Sequence, residues 1–295
     1  MSESELILSG APAAAPAEPP APVGRPCLVL RPQSGWATVD LCELWRYRDL
    51  LLILGLRDVK LRYRQTVLGV AWVVLQPLLA AGIFAFVFGA VAKLPSAGLP
   101  YFLFAYAGLL GWTAFQGTIT KASTCLVQSA NLISKVYFPR LILPLSTLFS
   151  TAVDSAVGLV LLLALLPIWA HPGPEILLLP VWFGLLLLMA MGLGLLAGAL
   201  MVPYRDVQYI LPVLIQLGMY ASPVAYGVAA VPERLRPVVL LNPLSGLMEA
   251  LRWSLLGASQ PDWGAVAYGA GFAAVAFIAG AYSFKRMERN FADVI

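Results

Sequence analysis

Charge is what this chain has least of. Only 12% of its 295 residues are Asp, Glu, Lys or Arg, against about 25% in an ordinary soluble domain. A mean hydropathy of +0.83 leaves too little polar surface to cover a large water-soluble globule. Histidine occurs once, at His171, in a Pro/Gly turn where a solvated loop residue is the ordinary outcome. The three cysteines, Cys27, Cys42 and Cys125, have no metal-ligand spacing and cannot form an even disulfide framework, so free thiols are expected. No G-x-x-x-x-G-K-[ST] occurs, so the chain carries no phosphate-cradling loop of its own. Asp49 and Asp58 are not part of a D-x-D or a carboxylate cluster, which argues against a membrane-bound sugar or phosphosugar transferase. The net charge of +4 does not point to nucleic acid, because the cations gather beside apolar runs.

What is present reads as a membrane layout. The acidic start MSESELILSG lacks the apolar core of a signal peptide. The Ala/Pro-rich stretch after it makes residues 1–38 an expected disordered cytoplasmic tail. Residues 39–66 are expected to form an amphipathic helix in the cytoplasmic lipid interface. Arg57, Lys60 and Arg64 share one face of it and Leu52, Leu56, Val59 and Tyr63 another, with cations outward and the apolar stripe inward.

Six runs then have the length and apolarity of crossings: 67–92, 101–123, 141–170, 176–202, 207–228 and 263–284. With the N-terminus inside, 15 Lys and Arg fall on the inner side and four (Lys93, Arg234, Arg236 and Arg252) on the outer, a strong positive-inside bias. A seventh crossing over 238–256 would put Glu249 and Arg252 in hydrocarbon at roughly 2.5–3.5 kcal/mol each. A short re-entrant or interfacial hairpin bent at Asn242-Pro243 fits better. Residues 285–295 become a cytoplasmic C-terminus. The expected fold is thus an all-α membrane protein with six transmembrane helices over 67–284.

Inside the spans, Ala190, Gly194 and Gly198, Gly269 and Ala273, and Ala276 and Gly280 are spaced by four, the pattern of closely approaching helix backbones. Asp154 is the only acid well inside an apolar run and has no cation beside it there, so a structural hydrogen-bonding role is favoured over a channel-lining one. The inner connection NLISKVYFPRLILP (131–144) admits two readings. One is a loop obeying the positive-inside rule; the other is a docking helix with Tyr137 and Phe138 as apolar anchors for a soluble partner.

The segment RDVKLRYRQTVLGVAWVVLQP (57–77) resembles the corresponding part of ABC-2 type permeases that export polysaccharides or polyol phosphates. The likeness continues in order through NLISKVYFPRLILP, YRDVQYILPVLIQ (204–216), SPVAYG (222–227) and VPERLRPVVLLNPLSGLMEALR (231–252), over about residues 40–290. That resemblance implies a transporter of two permeases and two separate ATP-binding cassette subunits, which hold the ATP and Mg; this chain needs no cofactor. The cargo implied is lipid-linked O-antigen, capsular polysaccharide or teichoic acid, moved across a bacterial inner membrane. It also implies an entrance loop at Leu68 and Gly69, and a cytoplasmic coupling helix carrying Asn131, Lys135, Tyr137, Phe138 and Arg140. A periplasmic gate hairpin is implied over 229–256, with Asn242, Pro243, Glu249 and Arg252.

Lipid phosphates are expected to meet Arg57, Lys60 and Arg64, or these cations simply anchor the helix at the surface. Tyr106, Trp112, Phe115 and Tyr220 are candidates to line a homodimeric channel, since aromatic faces suit pyranose rings, although aromatics also enrich at membrane interfaces. Two rivals stay open. An ABC-2 permease for a drug or haem would share the architecture, and an ion-coupled secondary transporter is weakened by the lack of intramembrane charge pairs and of an internal repeat.

Overall fold

The computed structural model describes residues 41–64, 70–96, 98–133, 135–169, 173–288 and 291. Among these residues every regular element is a helix. The tail expected over 1–38, the entrance residues Leu68 and Gly69, and His171 lie outside the described residues.

The N-terminal helix is two pieces, α1 (Leu41–Arg46) and α2 (Arg48–Arg64). They meet at a tightened turn in which Tyr47 N–H donates to Leu44 O. α2 lies on α6 (Ile142–Trp169). The side packed on α6 is separate from the stripe expected to face lipid. Leu54 and Gly55 are the buried residues, and a Cβ on Gly55 would come within 2.8 Å of Phe149. Leu52, Ile53 and Leu56 face outward beside Arg57 and Lys60. The reason is that α2 is apolar on two sides, and the flatter glycine side takes the close contact.

α3 (Val70–Phe84) contains Pro77 and runs on as a π-helical stretch, Ala85–Val91. α4 (Tyr101–Gln128) and α6 have 28 residues each, about 42 Å at 1.5 Å per residue, longer than a bilayer core of about 30 Å. A four-residue α5 (Ala130–Ile133) follows α4. α7 (Leu179–Met201) is central, packed against α4 on one side and α11 (Trp263–Met287) on the other. Both contacts use the small residues. Gly194 and Gly198 sit against the backbone of Ile119, Ala122 and Ser123, while Gly192 meets Ala276 and Gly280 with no room for a Cβ. α10 (Pro243–Leu256) fills the space between α4, α7 and α11.

Among the described residues four helices are long and apolar enough to cross a membrane: Val74–Val91, Ile142–Pro167, Pro174–Met201 and Trp263–Met287. The other two expected crossings differ for separate reasons. α4 has the length but is polar down one side. α8 (Val207–Ala221) stops after 15 residues, about 22 Å, because Ser222 turns extended ahead of Pro223.

Candidate functional site

The polar side of α4 faces a polar side of α6. Thr113, Gln116, Thr120, Lys121, Thr124 and Gln128 recur on α4 at helical spacing. Across from them α6 presents Ser146, Thr147, Ser150, Thr151, Asp154 and Ser155. Lys121 Nζ donates to Asp154 Oδ2 at 2.9 Å and to Ser150 Oγ at 3.0 Å. Asp154 therefore does have a cationic partner at membrane depth, contrary to its expected isolation. Lys121 lies within α4 itself. Two cavities meet at this pair. One, of about 680 Å³, is lined by Arg57, Asp58, Thr120, Thr124, Ser146 and Ser150, among others. The other, of about 280 Å³, runs past Gln76, Thr113, Gln116, Thr151 and Asp154 to Gly158. The Thr151 hydroxyl is buried and has no hydrogen-bond partner among the described residues.

The hairpin before α11 is a short α9 (Arg236–Leu240), a break, and then α10. Asn242 makes the break: its Oδ1 caps α10 by accepting from Leu244 N–H at 3.0 Å, and Pro243 stands at the first helical position. Its Nδ2 donates to Ser222 Oγ at 2.9 Å, which ties the hairpin to the end of α8. α10 does not lie amphipathically on a surface. Its polar side is also covered, and Arg252 is 2% exposed.

The reason is the loop 222–227, which wraps that side. Arg252 donates to the carbonyls of Pro223 at 2.6 Å, Val224 at 2.5 Å and Tyr226 at 3.2 Å, and its guanidinium lies 4.2 Å from the centroid of the Phe104 ring. Gly108 of α4 permits this close approach, since a Cβ there would collide with Val224 O and the guanidinium. Tyr101 Oη donates to Ala225 O, and Glu249 Oε1 accepts from Val228 N–H at 3.0 Å. One buried cation thus organises a loop that offers mainly carbonyl oxygens.

Among the described residues of the inner connection only α5 is helical; from Lys135 to Arg140 the chain is turn, bend and irregular segment. The expected docking helix is therefore shorter than its motif. Its two aromatics point opposite ways: Tyr137 is 59% exposed and Phe138 4%. Phe138 joins a core with Leu126, Phe284 and Phe291. Arg140 is turned inward as well, donating to Glu288 O at 2.6 Å with its ring-stacking partner Phe291 at 5.9 Å. Asn131, Lys135, Val136 and Tyr137 form the outward surface. Arg57 pairs with Asp58 at 2.9 Å, and Lys60 is exposed beside it; α2 carries Arg64 at its end.

The channel-lining candidates divide in the same way. Tyr106, Trp112 and Phe115 are core residues of the protomer, with Tyr106 Oη donating to Gly158 O at 3.1 Å and Trp112 Nε1 to Gln116 Oε1 at 2.9 Å. Tyr220 is 62% exposed on α8. Sequence reasoning passed over the α4–α6 seam, although the three- and four-residue spacing of Ser and Thr through 146–155 was available as a signal.

Long apolar helices packed on small residues, with a polar seam between two of them, define an all-helical multi-pass membrane protein. The chain belongs to the ABC-2 type transporter family, which matches residues 49–256. It is 29% identical over 256 residues to the O-antigen export system permease protein RfbA of Myxococcus xanthus, covering 86% of this chain and 98% of that protein. A Klebsiella pneumoniae protein of the same name is 26% identical over 258 residues, covering 84% and 95%. The polysialic acid transport protein KpsM of Escherichia coli is 24% identical over 245 residues, covering 80% and 92%.

Proposed function

We propose that this chain is the transmembrane permease subunit of an ATP-driven exporter moving lipid-linked polysaccharide, O-antigen foremost, from cytoplasm to periplasm. The carrying observation is the near full-length likeness to O-antigen export permeases, 98% of the Myxococcus xanthus protein being spanned. The chain is not itself an enzyme in this reading: ATP and Mg belong to two partner cassette subunits, consistent with the lack of a nucleotide loop. Two copies of the permease enclose the channel. The exposed apolar faces of α3 (Trp72, Leu75, Leu79) and α8 (Val213, Leu217, Tyr220) suit lipid and a second copy.

In this arrangement α4 and α8 complete six crossings of the inner membrane, α8 with help from the loop after it. Both termini are cytoplasmic. Residues 1–38 form the tail, 39–66 the interfacial helix, and 285–295 the C-terminal end. Leu52, Ile53 and Leu56 enter the inner leaflet while Arg57, Lys60 and Arg64 meet lipid phosphates, and Leu68-Gly69 forms the entrance. The segment 229–256 re-enters from the periplasm as a gate held by Asn242, Glu249 and Arg252. Asn131, Lys135 and Tyr137 meet the ATPase, and Phe138 and Arg140 brace that surface from behind.

The different exposure of the two aromatics makes the docking surface testable. Tyr137→Ala is expected to leave permease abundance unchanged but to lose co-purification with the cassette ATPase, an exposed aromatic anchor being worth about 2 kcal/mol or more. Phe138→Ala is expected to lower abundance, since it empties a core position. Co-purification at the wild-type level in Tyr137→Ala, with export intact, would move the partner surface elsewhere.

A further inference from the structure

We infer that the seam between α4 and α6 is a binding site for a saccharide segment of the cargo, barred at its midpoint by the Lys121–Asp154 pair. The inference rests on the export reading above and assigns the cargo a place within one protomer, apart from the axis between two copies.

Polar side chains are costly in a membrane helix and turn toward a protein interior or an aqueous cavity. Here two helices turn theirs toward each other and still leave cavities of about 680 and 280 Å³, the larger bounded also by α2 and the smaller by α3. The larger lies within the range of about 300–1,000 Å³ common for small-molecule sites. Lys121 lines both, so the ion pair stands where one opens toward the other. The buried Thr151 hydroxyl, without a hydrogen-bond partner among the described residues, lines the smaller cavity. Two helices packed only for stability would close this seam, as α4 and α7 do through small residues.

The lining chemistry selects the ligand. Of its cations, Arg57 is paired with Asp58 and Lys121 with Asp154, so a bare phosphate would have to displace a carboxylate to bind within the seam. An apolar ligand would leave the row of hydroxyls and amides unsatisfied. A sugar ring brings donors and acceptors together without net charge, matching Thr120, Thr124, Gln128, Ser146, Thr147 and Ser150. Saccharide hydroxyls can take over both halves of the Lys121–Asp154 pair, so the bar opens as cargo advances from the larger cavity into the smaller.

Two variants, Thr120→Trp at an exposed position and Thr124→Phe at a half-buried one, narrow the seam, and Val127→Phe, exposed on the same helix outside the cavity linings, controls for bulk. Surface polysaccharide is expected to be lost in both seam variants at normal permease abundance and kept in Val127→Phe. A strain lacking the permease separates the two levels of inference. Normal surface polymer there overturns the export reading itself. Loss of polymer there together with normal export from both seam variants overturns the seam site alone.

Occupancy is read by N-ethylmaleimide labelling of Thr124→Cys in a chain whose three native cysteines are serines and which still exports. Labelling is expected to be slower by about tenfold in a host making the glycan than in one that makes the carrier without it, as for a site held near ten times its Kd. Equal protection in both hosts would assign the seam to the carrier phosphate, and equal reactivity without protection would leave it empty; either overturns the proposal. Should Thr124→Cys fail to accumulate, Gln128→Cys at the wider end gives the same readout.

Discussion

Replacing Arg252 with Ala is expected to remove the permease from the membrane almost completely and to abolish export by what remains. Hydrogen bonds to a charged group contribute roughly 1.5–3 kcal/mol each, and this guanidinium supplies three carbonyls with a donor. Their loss leaves the loop 222–227 with buried acceptors and frees the ring of Phe104 from its cation. A total native stability of about 5–15 kcal/mol has little reserve for such a change. Lysine is not a substitute, because one ammonium at the end of a flexible stem cannot reproduce the planar fork. Arg252→Lys should therefore accumulate better than Arg252→Ala yet export poorly. Permease level by immunoblot and surface polymer from the same cells separate these outcomes. Wild-type values for Arg252→Ala would mean that the loop is held by other contacts.

The second large effect is expected where α7 and α11 touch backbone to backbone. Gly192 and Gly280 leave no space for a side chain, because a Cβ on either would overlap the main chain of the other helix. Gly280→Leu is expected to drive the helices apart and send the chain to proteolysis, at a cost at or beyond the upper end of the roughly 1–3 kcal/mol typical of overpacking. Gly271→Leu on the same helix faces open space and should be neutral. Equal abundance of the two variants would contradict the packing of α7 on α11.

These two sites mark the boundary of what the sequence makes legible. The small-residue faces of α7 and α11 could be read directly, because four-residue spacing in an apolar helix has few causes. Arg252 could not. In sequence it is a cation beside an apolar run, indistinguishable from a surface anchor, and only the fold brings the loop after α8 around it. Lys121 was similarly hidden, since a positive-inside tally treats a lysine near a helix end as a loop charge. Its partner Asp154 lies 33 positions away on another helix. The aromatics of α4 show the converse limit: depth in the membrane is visible from position along the helix, but the side that meets α6, α7 and α10 is not. The end of α8 was visible all along in Ser222-Pro223, and the apolar run to Val228 masked it.

The central claim is that this chain, with a cassette ATPase, moves lipid-linked glycan across a bilayer. Its most direct measurement uses proteoliposomes holding the purified permease and ATPase together, with radiolabelled lipid-linked polymer supplied on the ATPase side. With ATP and Mg, polymer should pass to the lumen and become resistant to an added glycosidase, whereas the permease alone, or the complex without ATP, should leave all of it digestible. Polymer that stays digestible in the active complex, or that crosses equally well without ATP, would contradict the claim.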